Sequence, residues 1–283
     1  MQNRNIHTFI GCDNEYDKSN IVLFGAPFDS TTSYRPGTRF ASAAIRNESF
    51  GIETYSPYLD RDLLDMNVFD GGDLELPFGN PEKALRVIEE YTSEVMSDGK
   101  FPVMIGGEHL VTLGAVRAAA KQYSDLYIVH FDAHADLRDD YLGEKLSHAT
   151  VMRRCHDIVG DNRIFQFGIR SGEREEFAWA KGKVVINKYN FDGLHETVHG
   201  LADKPVYLTI DLDVLDPSAL PGTGTPEAGG VTFLQLREAI ESIAKCNIVG
   251  ADMNELSPVY DQSGASTALA CKLLRELLLN IDK

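Results

Sequence analysis

Short apolar runs alternate with longer stretches of helical spacing along almost the whole chain. Ile21 to Phe24, Val103 to Ile105, Leu126 to Phe131, Ile164 to Phe167, Val184 to Ile186, Val206 to Ile210 and Ile248 to Gly250 read as short buried strands. Between them, Pro81 to Ser97, Leu110 to Gln122, His148 to Ile158, Thr232 to Ala244 and Ala265 to Leu279 carry the spacing of helices. Pro81 suits a first helical turn, and Asp98-Gly99 a helix stop. Strand, helix, strand repeated this often predicts a parallel sheet covered on both faces. No internal repeat, low-complexity tract or linker divides the chain, so residues 1–283 are expected to form a single domain.

In open sheets of this kind ligands sit beyond the carboxyl ends of the strands. Three of the predicted strand ends are crowded with metal-ligand side chains. Val103 to Ile105 leads into Gly106-Gly107-Glu108-His109, Leu126 to Phe131 into Asp132-Ala133-His134-Ala135-Asp136, and Val206 to Ile210 into Asp211-Leu212-Asp213. In extended backbone, residues two apart point the same way. Asp132, His134 and Asp136 are thus expected to converge while Ala133 and Ala135 face the core, and Asp211 and Asp213 converge by the same rule. An aspartate after a strand ordinarily caps a turn, but three such clusters at three strand ends point elsewhere. Four aspartates gathered without counter-charge would repel one another and stay partly protonated, whereas two divalent cations cancel them. Carboxylates and imidazoles without a thiolate favour a harder, higher-coordinate ion than structural zinc, with Mn²⁺ first. A pair of such ions can activate water as a nucleophile at neutral pH.

Charge and cysteine usage narrow the partners. A net charge of −16 argues against nucleic acid or an anionic membrane surface. It says little about the substrate, because an acidic surface is ordinarily a solubility device. Cys12, Cys155, Cys246 and Cys271 form no Cys-x-x-Cys pair, which excludes a zinc ribbon or a dithiol centre and fits a reducing cytoplasm. Met1 to Ile10 is polar, unlike a signal peptide, and no apolar run approaches the ~20 residues of a membrane span. Gly222-Thr223-Gly224-Thr225-Pro226 lacks the lysine and helix of a phosphate loop and reads as a turn-rich segment lining the site. No Gly-x-Ser-x-Gly elbow is present, and His156, His195 and His199 read as surface or packing residues.

These motifs, in this order, resemble the ureohydrolases, the family of arginase and agmatinase. The resemblance rests on Gly106 to His109, Asp132 to Asp136 and Asp211-Leu212-Asp213-Val214-Leu215-Asp216-Pro217. Arg35-Pro36-Gly37-Thr38-Arg39, Ile45-Arg46 and Asn254-Glu255-Leu256-Ser257-Pro258 add to it. It implies a three-layer αβα sandwich around a mostly parallel sheet of about eight strands, assembled as homo-trimers or homo-hexamers. By the same resemblance, His109, Asp132, Asp136 and Asp211 hold one Mn²⁺ and Asp132, His134, Asp211 and Asp213 the other. His148 matches the family's proton-shuttling histidine, and Glu255 the carboxylate that grips the guanidinium. Residues taken alone leave His148 open to a structural role, although imidazole suits proton transfer near neutrality. A carboxylate such as Glu255 can accept two parallel hydrogen bonds from a guanidinium.

The expected reaction is hydrolysis of a small guanidino compound. The family's arginases use an amide- and hydroxyl-rich loop before the shuttling histidine, but Leu137 to Leu146 here holds three acids, two bases and no asparagine. That is a poor seat for a carboxylate and a tolerable one for an amine. The segment Phe167 to Phe177 also looks like bacterial agmatinases. Agmatine fits best, giving putrescine and urea. The alternatives are arginine, 4-guanidinobutanoate or formimidoylglutamate, with Arg138, Arg170 or Lys145 open as partners for a carboxylate, and a non-catalytic metal-binding relative.

Overall fold

Eight strands pair side by side, every neighbouring pair parallel, in the order Val68–Asp73, Ile21–Ala26, Phe101–Gly106, Asn247–Asn254, Pro205–Asp211, Tyr127–Phe131, Ile164–Ile169 and Val185–Lys188. The structure is a computed structural model describing residues 7–282, so residues 1–6 of the polar N-terminal stretch lie outside it. The strands are β1 (Ile21–Ala26), β4 (Val68–Asp73), β5 (Phe101–Gly106), β6 (Tyr127–Phe131), β7 (Ile164–Ile169), β8 (Val185–Lys188), β9 (Pro205–Asp211) and β10 (Asn247–Asn254). A separate antiparallel pair is formed by β2 (Tyr55–Ser56) and β3 (Arg61–Asp62). The helices are α1 (Ala41–Glu48), α2 (Pro81–Ser97), α3 (Thr112–Gln122), α4 (Val151–Val159), α5 (Arg174–Ala180), α6 (Leu194–Gly200), α7 (Phe233–Ile243) and α8 (Ala265–Ile281).

Strand alternation sorts the core into two layers. Ile21, Leu23, Val103, Ile105, Val129 and Phe131 point to one face and pack with Ile45 of α1, Leu236 and Ile240 of α7, and Leu274 and Leu278 of α8. Their neighbours Val22, Phe24, Met104 and Ile128 point to the other, onto Leu85 and Ile88 of α2, Val116 of α3 and Met152 of α4. Both faces are therefore apolar, which is why the strands read as near-continuous hydrophobic runs. This is the expected αβα sandwich, with a sheet that is parallel throughout.

Local chemistry explains the best-defined boundaries. Asn80 accepts from the Lys83 amide at 3.0 Å, Pro81 occupies the first turn of α2, and Gly99 takes the left-handed backbone after its end. The elements that hydrophobic spacing did not reveal are β2, β3, β4, α1, α5 and α6. β4 is an edge strand of sequence Val-Phe-Asp-Gly-Gly-Asp, poor in strand formers and exposed at every second residue towards its end. α5 and α6 are seven residues each, too short to display a 3.6-residue repeat.

Arg46 of α1 joins helix to edge strand. It donates two parallel hydrogen bonds to Asp70, from Nε at 2.8 Å and Nη2 at 2.9 Å, and a third to Asp73. Arg46 and Asp70 are both buried, so removing the cation strands a carboxylate away from water. Arg46→Met is expected to lower stability by about 3–5 kcal/mol, measured as a shift in the urea midpoint of metal-loaded protein. A change under 1 kcal/mol would show the pair to be screened and dispensable.

Candidate metal centre

β5, β10, β9 and β6 are consecutive neighbours in the sheet, and adjacent strands lie about 4.8 Å apart. Side chains delivered from their carboxyl ends fall within reach of one another. β5 supplies His109, β6 the segment Asp132–Asp136, β9 the pair Asp211 and Asp213, and β10 Glu255. All six expected metal ligands are brought together here.

Two groupings appear. His109 Nδ1 faces Asp132 Oδ2 at 3.0 Å, Asp211 Oδ2 at 3.2 Å and Asp136 Oδ2 at 3.3 Å. His134 Nδ1 faces Asp213 Oδ2 at 3.0 Å and Asp132 Oδ1 at 3.5 Å. Asp132 thus turns one oxygen towards each imidazole.

Convergence is reached differently from the simple alternation expected. Ala133 and Ala135 are fully buried as that rule requires. However, β6 ends at Phe131, and Asp136 adopts a left-handed backbone (φ 53°) that re-aims its carboxylate. Asp211 closes β9, but Asp213 lies in the 3-10 turn Leu212–Val214, where its amide donates to Asp211 Oδ1 at 2.8 Å. A turn, not an extended strand, joins that pair.

His148 and Glu255 line the same cavity, about 300 Å³ in volume, together with His109, His134, Asp136 and Asp211. Thr225 lines it too, and its hydroxyl lies 3.4 Å from Asp213 Oδ2, as expected for the turn-rich segment 222–226. Glu255 is no solvated loop residue. It is buried, its backbone is left-handed (φ 65°), and its Oε1 accepts the His109 amide at 2.7 Å. His148 sits in the 3-10 turn His148–Thr150, its ring edge-on to Tyr141 and its Nε2 3.3 Å from Ser33 Oγ.

Several supporting residues escaped the reading of the sequence. His130 Nε2 lies 2.7 Å from Asp132 Oδ2, and Gln166 Nε2 lies 2.9 Å from His130 Nδ1. The amide can only donate through its nitrogen, so His130 accepts at Nδ1 and donates through Nε2 to the carboxylate; it orients Asp132 instead of ligating. His130 shares the period-two register of Asp132 and His134, and extending that register back by one step would have found it. On the far side of His109, Nε2 lies 2.9 Å from Thr209 Oγ1, whose hydroxyl donates to the buried Asp252 at 2.6 Å.

The electrostatics call for cations. Burial pushes Asp136 up to about 7, aided by the charge on Asp132, and burial with the charges on Asp213 and Asp132 holds Asp211 well above the usual carboxylate range. Burial works against a charge on His109, yet the surrounding carboxylates outweigh it and raise the imidazole well above its ordinary value. His109 Nδ1 is nonetheless a buried polar atom with no hydrogen-bond partner. A partnerless nitrogen ringed by three carboxylate oxygens is what a divalent cation would satisfy. The donor set fits the implied metals.

Basic residues near the site are already engaged. Arg170 donates from Nη1 and Nη2 to the carbonyls of Gly168, Asp213, Val214, Leu215 and Glu227, bracing the turn that carries Asp213. Arg138 pairs with Glu173 at 2.9 Å and stacks over Tyr141. Lys145 is not among the cavity's lining residues. His156 is tied to Asp161 and set edge-on to Trp179, while His195 and His199 lie on the surface, in keeping with packing and surface roles.

Comparison with known proteins adds an independent line. Residues 19–280 match the family model described as "Arginase family". The chain is 50% identical over 279 residues to an agmatinase of Bacillus subtilis strain 168, covering 97% of this chain and 96% of that protein. A guanidinobutyrase of Pseudomonas aeruginosa is 35% identical, with 93% and 87% covered. The structure of an agmatine ureohydrolase of Thermoplasma volcanium superposes with a TM-score of 0.90 at 37% identity, over 99% of this chain and 95% of that one. Sheet order, carboxylate-ringed imidazoles and matches spanning nearly the full length therefore agree: the chain belongs to the arginase family.

Proposed function

We propose that this protein, read over residues 1–283 as one catalytic domain, hydrolyses agmatine to putrescine and urea at a centre of two Mn²⁺ ions. The observation that carries the reading is the buried, partnerless His109 Nδ1 among the carboxylates of Asp132, Asp136 and Asp211, at the floor of a cavity. His109, Asp132, Asp136 and Asp211 would hold one ion, and Asp132, His134, Asp211 and Asp213 the other. Bound there, two divalent cations would lower the pKa of water and supply a nucleophile at neutral pH. Oxygen and imidazole donors support Mn²⁺ as the ion, since none of the four buried cysteines lines the cavity.

The chain's own residues would do the rest. Glu255 accepts guanidinium N–H groups, anchored because one of its oxygens is tied to the His109 amide. His148 moves a proton to the departing amine. Glu173 and Glu176 line the cavity, Glu176 buried with its oxygens accepting the Leu137 and Glu173 amides, and the one lining arginine, Arg138, is paired with Glu173. A substrate carboxylate meets two acids there and no unpaired cation, whereas a substrate ammonium meets no net positive charge. That contrast supports agmatine over arginine or 4-guanidinobutanoate.

Urea release should be measured on Mn²⁺-loaded protein across a panel of guanidino compounds. Agmatine is expected to exceed arginine by at least ~100-fold in kcat/KM, because a site that pairs charged groups discriminates steeply when one is wrong. A preference for 4-guanidinobutanoate would instead assign Arg138 to a substrate carboxylate. No urea from any compound would leave a metal-binding relative without this activity.

We further propose a homo-trimer or homo-hexamer, to be tested by sedimentation, and a cytoplasmic location. Four buried cysteines without a disulfide support the latter. Among the described residues no helix is long and apolar enough to cross a membrane.

A further inference from the structure

The loop after β1 is stitched to the segment that carries His109. Gly107 leaves no room for a side chain, since a Cβ there would lie 2.0 Å from the Phe28 carbonyl oxygen. In return the Glu108 amide donates to that oxygen at 2.7 Å. The Glu108 side chain, fully buried, turns back and accepts three hydrogen bonds from the same loop. These come from the Thr31 amide at 2.8 Å, the Thr31 hydroxyl at 2.5 Å and the Thr32 hydroxyl at 3.2 Å.

Thr31 then passes this restraint on. Its Oγ1 accepts the backbone amide of His148 at 3.1 Å, and Ser33 places its hydroxyl 3.3 Å from His148 Nε2. With Glu108 ionised the polarity is fixed: a carboxylate only accepts and an amide N–H only donates, so the Thr31 hydroxyl donates to Glu108 and accepts from His148. The far end of the loop is pinned as well. Asp29 accepts from the Gly37 amide at 2.9 Å and pairs with Arg39, which gives the Arg35–Arg39 motif a physical task.

We propose that Thr31, clamped by the buried Glu108, is a positioning residue that fixes His148 relative to His109. The inference rests on the proposed proton-transfer role of His148. Covalently, Glu108 adjoins His109; through Thr31 it also holds His148, so one carboxylate sets the distance between the metal-binding floor and the proton carrier. Small misplacements of a reacting group can cost ~10²-fold.

A double-mutant cycle tests it, using agmatine turnover, metal content and thermal midpoint. Thr31→Val keeps the shape but removes both hydrogen bonds of the hydroxyl. It is expected to lower kcat by about 10- to 100-fold, with both metal ions retained and KM for agmatine little changed. Thr31→Ser, which keeps the hydroxyl, is expected to restore kcat to within about 3-fold of the parent. In a His148→Asn background, Thr31→Val should add almost nothing, because two residues acting as a unit are not additive.

Full additivity in that cycle, or a Thr31→Val enzyme with normal kcat, would overturn the proposal. So would loss of metal from Thr31→Val, which would make Thr31 a support of the floor alone. If Thr31→Val does not fold, Thr31→Ala carries the same cycle. Normal kcat in His148→Asn by itself would sink the underlying role of His148, which is a separate failure from a Thr31 effect that is additive.

Discussion

Asp132→Ala is expected to hold neither metal ion firmly and to lose at least ~10³-fold in kcat/KM, the metals contributing several kcal/mol of charge stabilisation and each ~1.4 kcal/mol a factor of ten. The warrant is the geometry of one carboxylate. Asp132 is fully buried, with Oδ2 3.0 Å from His109 Nδ1 and Oδ1 3.5 Å from His134 Nδ1. Its orientation is fixed by His130 and by the His134 amide, which donates to Oδ1 at 2.5 Å. Asp136 approaches His109 alone of the two imidazoles, so Asp136→Ala should mainly weaken a single ion. Elemental analysis after dialysis distinguishes the two variants. Two ions retained in Asp132→Ala, or equal losses in both, would count against a shared carboxylate.

How much of this was legible in the sequence depends on the range of the interaction concerned. The strands that bury both faces announced themselves as apolar runs, because their surroundings are apolar on either side. Edge strand β4 did not, since its outer residues are glycines and aspartates whose place is set by Arg46 from a helix. The six candidate ligands were legible because each lies at a strand end or follows it by at most five residues, where sequence neighbours are also neighbours in space.

The manner of convergence was less legible. It depends on a left-handed Asp136 and on a turn between Asp211 and Asp213, neither of which the spacing of residues reveals. Glu108 and Thr31 are 77 positions apart, and Thr31 and His148 are separated by 117. No local pattern marks such a relation. Arg170 was left open as a substrate partner because charge alone is visible in a sequence. Its five carbonyl acceptors come from three segments far apart in sequence, at Gly168, Asp213 to Leu215 and Glu227, and converge only in the fold.

His148→Asn is expected to cut kcat by ~10²- to 10⁴-fold while leaving both metals bound. Cleavage of a guanidinium C–N bond releases an amine, which departs readily only if it gains a proton as the bond breaks. Burial above all pushes the His148 imidazole down to about 4. A lowered value in a histidine means that the charged form is disfavoured, so the ring is neutral at pH 7. To serve the departing amine it would first take up a proton, such as the one released by the attacking water, and then pass it on. A ring poised to give a proton up strongly once it has one is well matched to that second step.

Its surroundings suit the exchange. Tyr141 stands edge-on to the ring, and Ser33 and Ser147 place hydroxyls 3.3 Å from Nε2 and Nδ1. Asparagine keeps a polar side chain of similar reach but cannot shuttle a proton. Neither imidazole nitrogen of His148 faces the carboxylate cluster among the described contacts, so metal content should be unchanged. Added imidazole is expected to restore part of the lost rate by entering the vacated volume. A variant with near-normal kcat would return proton transfer to water and leave His148 a packing partner of Tyr141.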